Sequence, residues 1–324
     1  MTGQIPHSHP TGSNKSQSGS DAIPRLRVMA FLGIQNLPII AANHLGLFQA
    51  RRLAVELHVA KNSVEMRNGL ASEHFQIVHG AVDNAIAMVD RANVDVAVIM
   101  GGDNGFTNLY AQPDFRSYDD LRGSKVVVDA PDTAFALMLY KVLDKHGLKR
   151  GDYFVNALGA GPFRLAGMTA DRTNAAAVLN PPFSVLAQRA GLTDLGPLVA
   201  HIGPYLSTSG FALRSWLANN SVTAINYIRA YCDALQWVLD PANRERIIDL
   251  MMDWLQQPRD VVAECCRIAT DPVGGLAPDA AIDLEGLLNV ISLRAEVENQ
   301  WNGTPPLPEK YVDFSFHRIA LATA

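Results

Sequence analysis

The sequence predicts an α/β fold of two lobes, each a mostly parallel sheet flanked by helices, with two crossing strands as the hinge between them. Three observations carry this expectation. Residues 25–105 alternate apolar, strand-length runs with helix-length segments, the pattern of a parallel sheet covered on both faces. The stretch GGDNG at 101–105 breaks that rhythm, and a second unit built like the first follows it. At 324 residues the chain is too long for one ordinary core and suits two.

Each element has its own reason. RVMAFL at 27–32 is a continuous apolar run, as a strand buried on both faces requires. Asn36, Leu37 and Pro38 form a helix entry, with a capping residue and a proline in the first turn, and the helix runs to about 48. AVELHVA at 54–60 alternates as a strand does, and Asn62-Ser63 opens the next helix. A strand at 75–78, a helix at 81–89 and a strand at 94–100 complete the first unit. An extended crossing at 106–112 leads to a short helix near 118–121, strand 125–128, helix 133–146 and strand 155–158. Helix 163–168, strand 175–179 and helix 183–190 follow, and 205–213 reads as a second crossing. The remainder is expected to be helical over 215–238, 242–254, 258–268 and 278–295, ending in a proline-rich tail. This order assigns 25–105 with 210–324 to lobe I and 106–209 to lobe II.

Composition narrows the function classes. Hydrophobic residues at 48% and charged residues at 18% are ordinary globular values. A net charge of −5 argues against nucleic acid as the main partner, and no apolar run is long enough for membrane insertion. Cys232, Cys265 and Cys266 match neither a zinc knuckle nor a CxxC pair and read as small buried hydrophobes. Residues 1–24 are polar, rich in Ser, Gly, His and Pro, and are expected to be a disordered tail. They lack the apolar segment of a secretory signal, so the sequence as it stands predicts a cytoplasmic location. A different start or another export route would make it periplasmic.

In open parallel sheets, ligands lie beyond the carboxyl ends of the strands. That rule selects a set of loops here and, within them, Gln35, Asn36, Ser63, Asp83, Asn84, Asn104, Thr107, Thr133 and Asn180 as hydrogen-bonding groups. Phe31, Phe106, Phe163 and Phe183 offer apolar walls. His79 ends a strand beside Asp83, a pair that could orient a bound group or move a proton. Helix N-termini facing the gap suit an anion. Asp83, Asp103, Asp129 and Asp132 suit an amine or hydroxyls, and Arg164 is the cation nearby. The sequence leaves the ligand's polarity open.

The stretches NHLGLF (43–48), FQIVHGAVDNAIAM (75–88), VAVIMGGDNGF (96–106), PDFRSYDDLRGSKVVVDAPDTAFALML (113–139) and LNPPFS (179–184) resemble the taurine/sulfonate/nitrate group of ABC-transporter substrate-binding proteins. The resemblance implies a type II periplasmic-binding-protein-like fold closing on a small molecule. It places Asn36, Ser63, Asp83, Asn84, Thr133 and Asn180 around that ligand. It also implies an ABC permease as partner; the residues themselves show no metal-ligand spacing or cofactor motif, so no cofactor or metal is expected. Some relatives of this fold are enzymes, among them a desulfinase with a cysteine near the first loop, whereas GIQN (33–36) has none. No HExxH, Walker or GxSxG motif occurs, so no catalytic residue is assigned. Reversible capture is therefore the expectation. A soluble decarboxylase or hydrolase acting on a small aromatic or carboxylated compound is the alternative, and a cytoplasmic metabolite sensor a third.

Overall fold

A computed structural model describes Ile23 and residues 25–322, so apart from Ile23 the expected tail lies outside the described residues. The first unit runs β1 (Arg25–Phe31), α1 (Leu37–His44), α2 (Leu47–Ala50), β2 (Ala54–Ala60), α3 (Ser63–Ala71), β3 (Ile77–Ala81), α4 (Asp83–Arg91) and β4 (Val96–Gly101). The second runs β5 (Asn108–Ala111), β6 (Lys125–Val128), α5 (Ala134–Lys145), β7 (Phe154–Ala157), α6 (Gly161–Ala170), β8 (Asn174–Leu179), α7 (Phe183–Arg189), β9 (Thr193–Pro197) and α8 (Val199–Ile202). Then come β10 (Thr208–Leu213), α9 (Arg214–Asn219), α10 (Ser221–Leu239), α11 (Arg244–Leu255), α12 (Arg259–Ala269), α13 (Leu284–Glu298) and α14 (Phe314–Ala322).

Two five-stranded sheets result, ordered β2-β1-β3-β10-β4 and β7-β6-β8-β5-β9. In the first, β1 lies parallel to β2 and β3, and β10 enters antiparallel between β3 and β4. The second repeats the scheme, with β5 antiparallel between β8 and β9. Each sheet is thus mixed: four strands share one direction and the fifth, inserted by the crossing chain, opposes them. The chain leaves the first sheet after β4 and returns to it in β10, so two connections join the lobes.

Strand alternation fills both faces of each sheet. In lobe I, Val28, Ala97, Ile99 and Ala212 point toward α1, α10, α11 and α12, while Met29, Val96, Val98 and Phe211 point the other way. That second face is continuous with Leu109, Val126 and Val178 of the other sheet through Tyr205 and the apolar side of α13. Helix α13 therefore spans the lobes: its Glu296 pairs with Lys141 of α5, and Asn289 donates to Ile202 O at 2.8 Å.

The structure revises several expectations about elements. The helix expected over 215–238 is two helices broken at Asn220, whose amide donates to Trp216 O at 2.9 Å. Helix α13 starts at Leu284 because the preceding segment lies along the end of β4, with Gly101 N donating to Ala280 O at 2.8 Å. The proline-rich tail gives way to α14, which buries Phe316 and Ala320 against the α10 side of lobe I. Strand β9 is an unexpected edge strand, read from TDLGP only through its pairing with β5.

Candidate functional site

The loops at the carboxyl ends of the two sheets face one another around a cavity of about 700 Å³, counting its open mouth. Lobe I supplies Phe31 at the end of β1 and Gln35 after it, Ser63 at the start of α3, His79 from β3 and Asn84 from α4. Ser63 is held in place because Asn62 caps α3, accepting from Glu65 N at 2.9 Å. His79 is buried, with Nε2 at 2.9 Å from the Tyr227 hydroxyl and its ring stacked on Tyr231. Burial pushes its pKa down to about 3, so the imidazole is neutral at physiological pH.

The crossings supply Asp103, Phe106, Thr107, Ser207 and Thr208. Asp103 knots them together: its carboxylate accepts from Gly105 N at 2.9 Å and from the Ser207 and Thr208 hydroxyls, and its carbonyl accepts from Ser207 N at 3.1 Å. Burial raises the Asp103 pKa, against those hydrogen bonds. Thr107 is also buried, and its hydroxyl has no protein partner.

Lobe II contributes Asp129 at the end of β6, Thr133 and Phe135 at the start of α5, Arg164 from α6 and Asn180 after β8. Arg164 is fastened by two carbonyls, donating from Nε to Val178 O at 3.2 Å and from Nη1 to Gly159 O at 2.8 Å, and lies over the Phe135 ring. Burial lowers its pKa to about 10, opposed by the Asp129 charge, so it remains a cation.

The lobes touch across the mouth. Ser63 Oγ donates to Asp129 Oδ2 at 2.6 Å, Ala160 N donates to Lys61 O at 3.2 Å, and Asn180 Nδ2 donates to Gln35 Oε1 at 3.3 Å. Ion pairs Arg91–Asp132 at 3.2 Å and Arg189–Asp260 at 2.7 Å bridge the same gap at its flanks. The conformation is closed.

Of the residues selected from sequence, Phe31, Gln35, Ser63, His79, Asn84, Asp103, Phe106, Thr107, Asp129, Thr133, Arg164 and Asn180 line this cavity. Six do not, among them Phe183, which is buried in the core of lobe II. Asn36 lies in the core of lobe I, donating to Phe31 O at 2.6 Å. Asp83 points away from His79 into a buried ion pair with Arg294 of α13. Asn104 sits half-buried in the first crossing, outside the lining formed by its neighbours Asp103 and Phe106. Asp132 is spent on Arg91. Phe163, 48% exposed, lines an outer groove with Lys61, Val64 and Leu158. Phe135, Ser207 and Thr208 went unselected; the second crossing, which sequence located, was the signal for the last two. Among the described residues no group of three or more His, Cys, Asp or Glu side chains is disposed to hold a metal ion, and no helix is long and apolar enough to cross a membrane.

No family model matches the chain, and no curated protein does. Solved structures do. The periplasmic nitrate-binding protein NrtA from Synechocystis PCC 6803 superposes with a TM-score of 0.79 at 12% identity, over 93% of this chain and 89% of that one. A zinc-bound ligand-binding component of an ABC-type import system from Staphylococcus aureus gives 0.75 at 14% identity, over 91% and 98%. A cysteine-to-serine mutant of DSZB in complex with biphenyl-2-sulfinic acid gives 0.64 at 14% identity, over 93% and 99%. At these identities the likeness shows the fold: the chain has the two-lobed fold of periplasmic binding proteins, as its sequence led one to expect.

Proposed function

We propose that this protein captures a small organic molecule between its lobes by hinge closure and delivers it to an ABC permease, as the substrate-binding component of the transporter group its sequence resembles. The observation that carries the reading is the seam itself. Side chains of both lobes line one cavity and bond across its mouth, while the chain itself passes twice between the lobes behind it, at crossings knotted by Asp103. A ligand touching both walls stabilises the closed state by its extra contacts there. The ABC component named among the structural likenesses supports the transport role.

A second reading, an enzyme on this fold, is favoured by the likeness to DSZB. The chemistry of the cavity weighs against it. Cys232, Cys265 and Cys266 are buried in α10 and α12, where burial pushes each thiol up to about 12. His79 is too poor a base to take a proton near neutral pH, and Tyr227 occupies one of its nitrogens. Thermal-shift screening of small amines, sulfonates, aromatic acids and pyrimidines tests both readings, with mass spectrometry of every hit after long incubation. Recovery of the hit unchanged, with compaction by small-angle scattering, supports capture. Turnover of a hit supports the enzyme.

A further inference from the structure

Building on capture at this cavity, we propose that the ligand is a planar aromatic or heteroaromatic molecule carrying an amino or amidine N–H group that bonds to Asp129, and that sulfonates and nitrate are excluded. Around the cavity most side chains already have protein partners. Asp103 accepts from the crossings, and Thr133 donates to Ala130 O at 2.8 Å. Asn84 is held by Arg67 and Ala81 O, and His79 by Tyr227. Arg164, the one cation in the lining, donates to two carbonyls of its own lobe.

Two buried polar atoms of the lining have no partner: Asp129 Oδ1 and Thr107 Oγ1. Asp129 is 9% exposed, and its other oxygen holds Ser63 of the opposite lobe. A desolvated carboxylate oxygen without a donor is costly, and the cavity is where a donor can arrive. An N–H group satisfies it. A sulfonate or nitrate oxygen would set one acceptor against another and leave Oδ1 bare. Thr107, able to donate or accept, takes a second polar atom of the ligand. The partial positive charge at the starts of α5 and α6 suits a ring nitrogen or carbonyl there and does not require a full anion. Phe31 and Phe106 from one side and Phe135 from the other supply apolar contact for a flat ring.

The test is titration calorimetry at pH 7.5 with benzamidine and 4-aminopyrimidine against benzenesulfonate and nitrate, on the wild type, Asp129→Asn and Asp114→Asn. At least one N–H probe is expected to bind the wild type, and Asp129→Asn to weaken it tenfold or more. Asp114→Asn, which removes an exposed carboxylate of the same lobe that pairs with Arg172 outside the cavity, should keep binding within a few-fold. An unchanged melting temperature and circular dichroism spectrum for Asp129→Asn show that the loss is local. Failure of both N–H probes, binding of benzenesulfonate or nitrate in their place, or an Asp129→Asn variant that binds as tightly as wild type overturns the assignment. Benzenesulfonate binding accompanied by compaction in scattering would overturn it while leaving capture by closure standing. Binding of any probe without compaction would instead count against capture.

Discussion

Replacing Arg294 by methionine should destabilise the protein severely, because it strands a carboxylate in the interior. The side chains of Arg294 and Asp83 are 0% and 1% exposed, and Arg294 Nη1 donates to Asp83 Oδ1. The guanidinium also donates from Nε to Gln300 Oε1 at 2.9 Å. Removing one member of a buried ion pair costs about 3–5 kcal/mol, since the survivor keeps its desolvation penalty and loses its counterion. With a urea m-value of roughly 3 kcal/mol per molar, that is a midpoint lower by about 1–1.7 M. Adding Asp83→Asn to Arg294→Met removes the stranded charge and should recover about 1–2 kcal/mol. Urea titrations of the wild type, the single and the double variant, followed by circular dichroism, give the comparison. A midpoint within about 0.3 M of wild type for Arg294→Met, or a double variant weaker than the single, would refute the reasoning. Asp83→Asn alone should leave ligand affinity unchanged, because Asp83 lies outside the cavity wall.

Two further outcomes follow from buried groups and close backbone approaches. His79 is neutral in the fold, with a pKa near 3, whereas the unfolded chain binds a proton as the pH falls through 6.5. Its contribution to stability is therefore complete above pH 6.5 and is lost at about 1.4 kcal/mol per pH unit below it. His79→Gln should flatten the pH dependence of the urea-derived free energy between pH 6 and pH 4.5 by that slope, and equal slopes in both proteins would contradict the assignment. Gly101→Ala should cost about 1–3 kcal/mol, because an added Cβ would lie 1.9 Å from Ala281 O, a backbone atom of the segment sealing the end of β4. A melting temperature equal to wild type would show that this segment yields freely.

The readable part of the fold was the part written in local pattern. Val126, Val127 and Val128 announce β6, and AVELHVA announces β2, because strand propensity and burial there agree. Strand β9 has no such signal: Asp194, Gly196 and Pro197 are poor strand formers, and the segment is extended only because β5 offers it an edge. The break at Asn220 and the start of α13 likewise depend on what the chain meets in space. At the site, the rule for strand ends picked loops that the fold gathers around one cavity, since topology alone brings them together. It could not say which side chains those loops spend on distant partners. Asp83 was misplaced because Arg294 is 211 residues away, and Asp132 because Arg91 belongs to the other lobe. Asp129 read as one of four loop aspartates suited to an amine or hydroxyls; its unpartnered oxygen became visible only once Ser63 was seen to occupy the other one.

The edges of the two sheets offer the sharpest gauge of whether the mouth opens and shuts. Val59 on β2 and Phe154 on β7 are 44% and 66% exposed, and the strands bearing them end at the seam where Ala160 N meets Lys61 O. Spin labels at Val59→Cys and Phe154→Cys report their separation by double electron–electron resonance. Without ligand, a broad distribution that includes longer distances is expected; saturation with a confirmed hit should collapse it to the shortest. A distribution that does not move at full occupancy would contradict closure as the basis of capture.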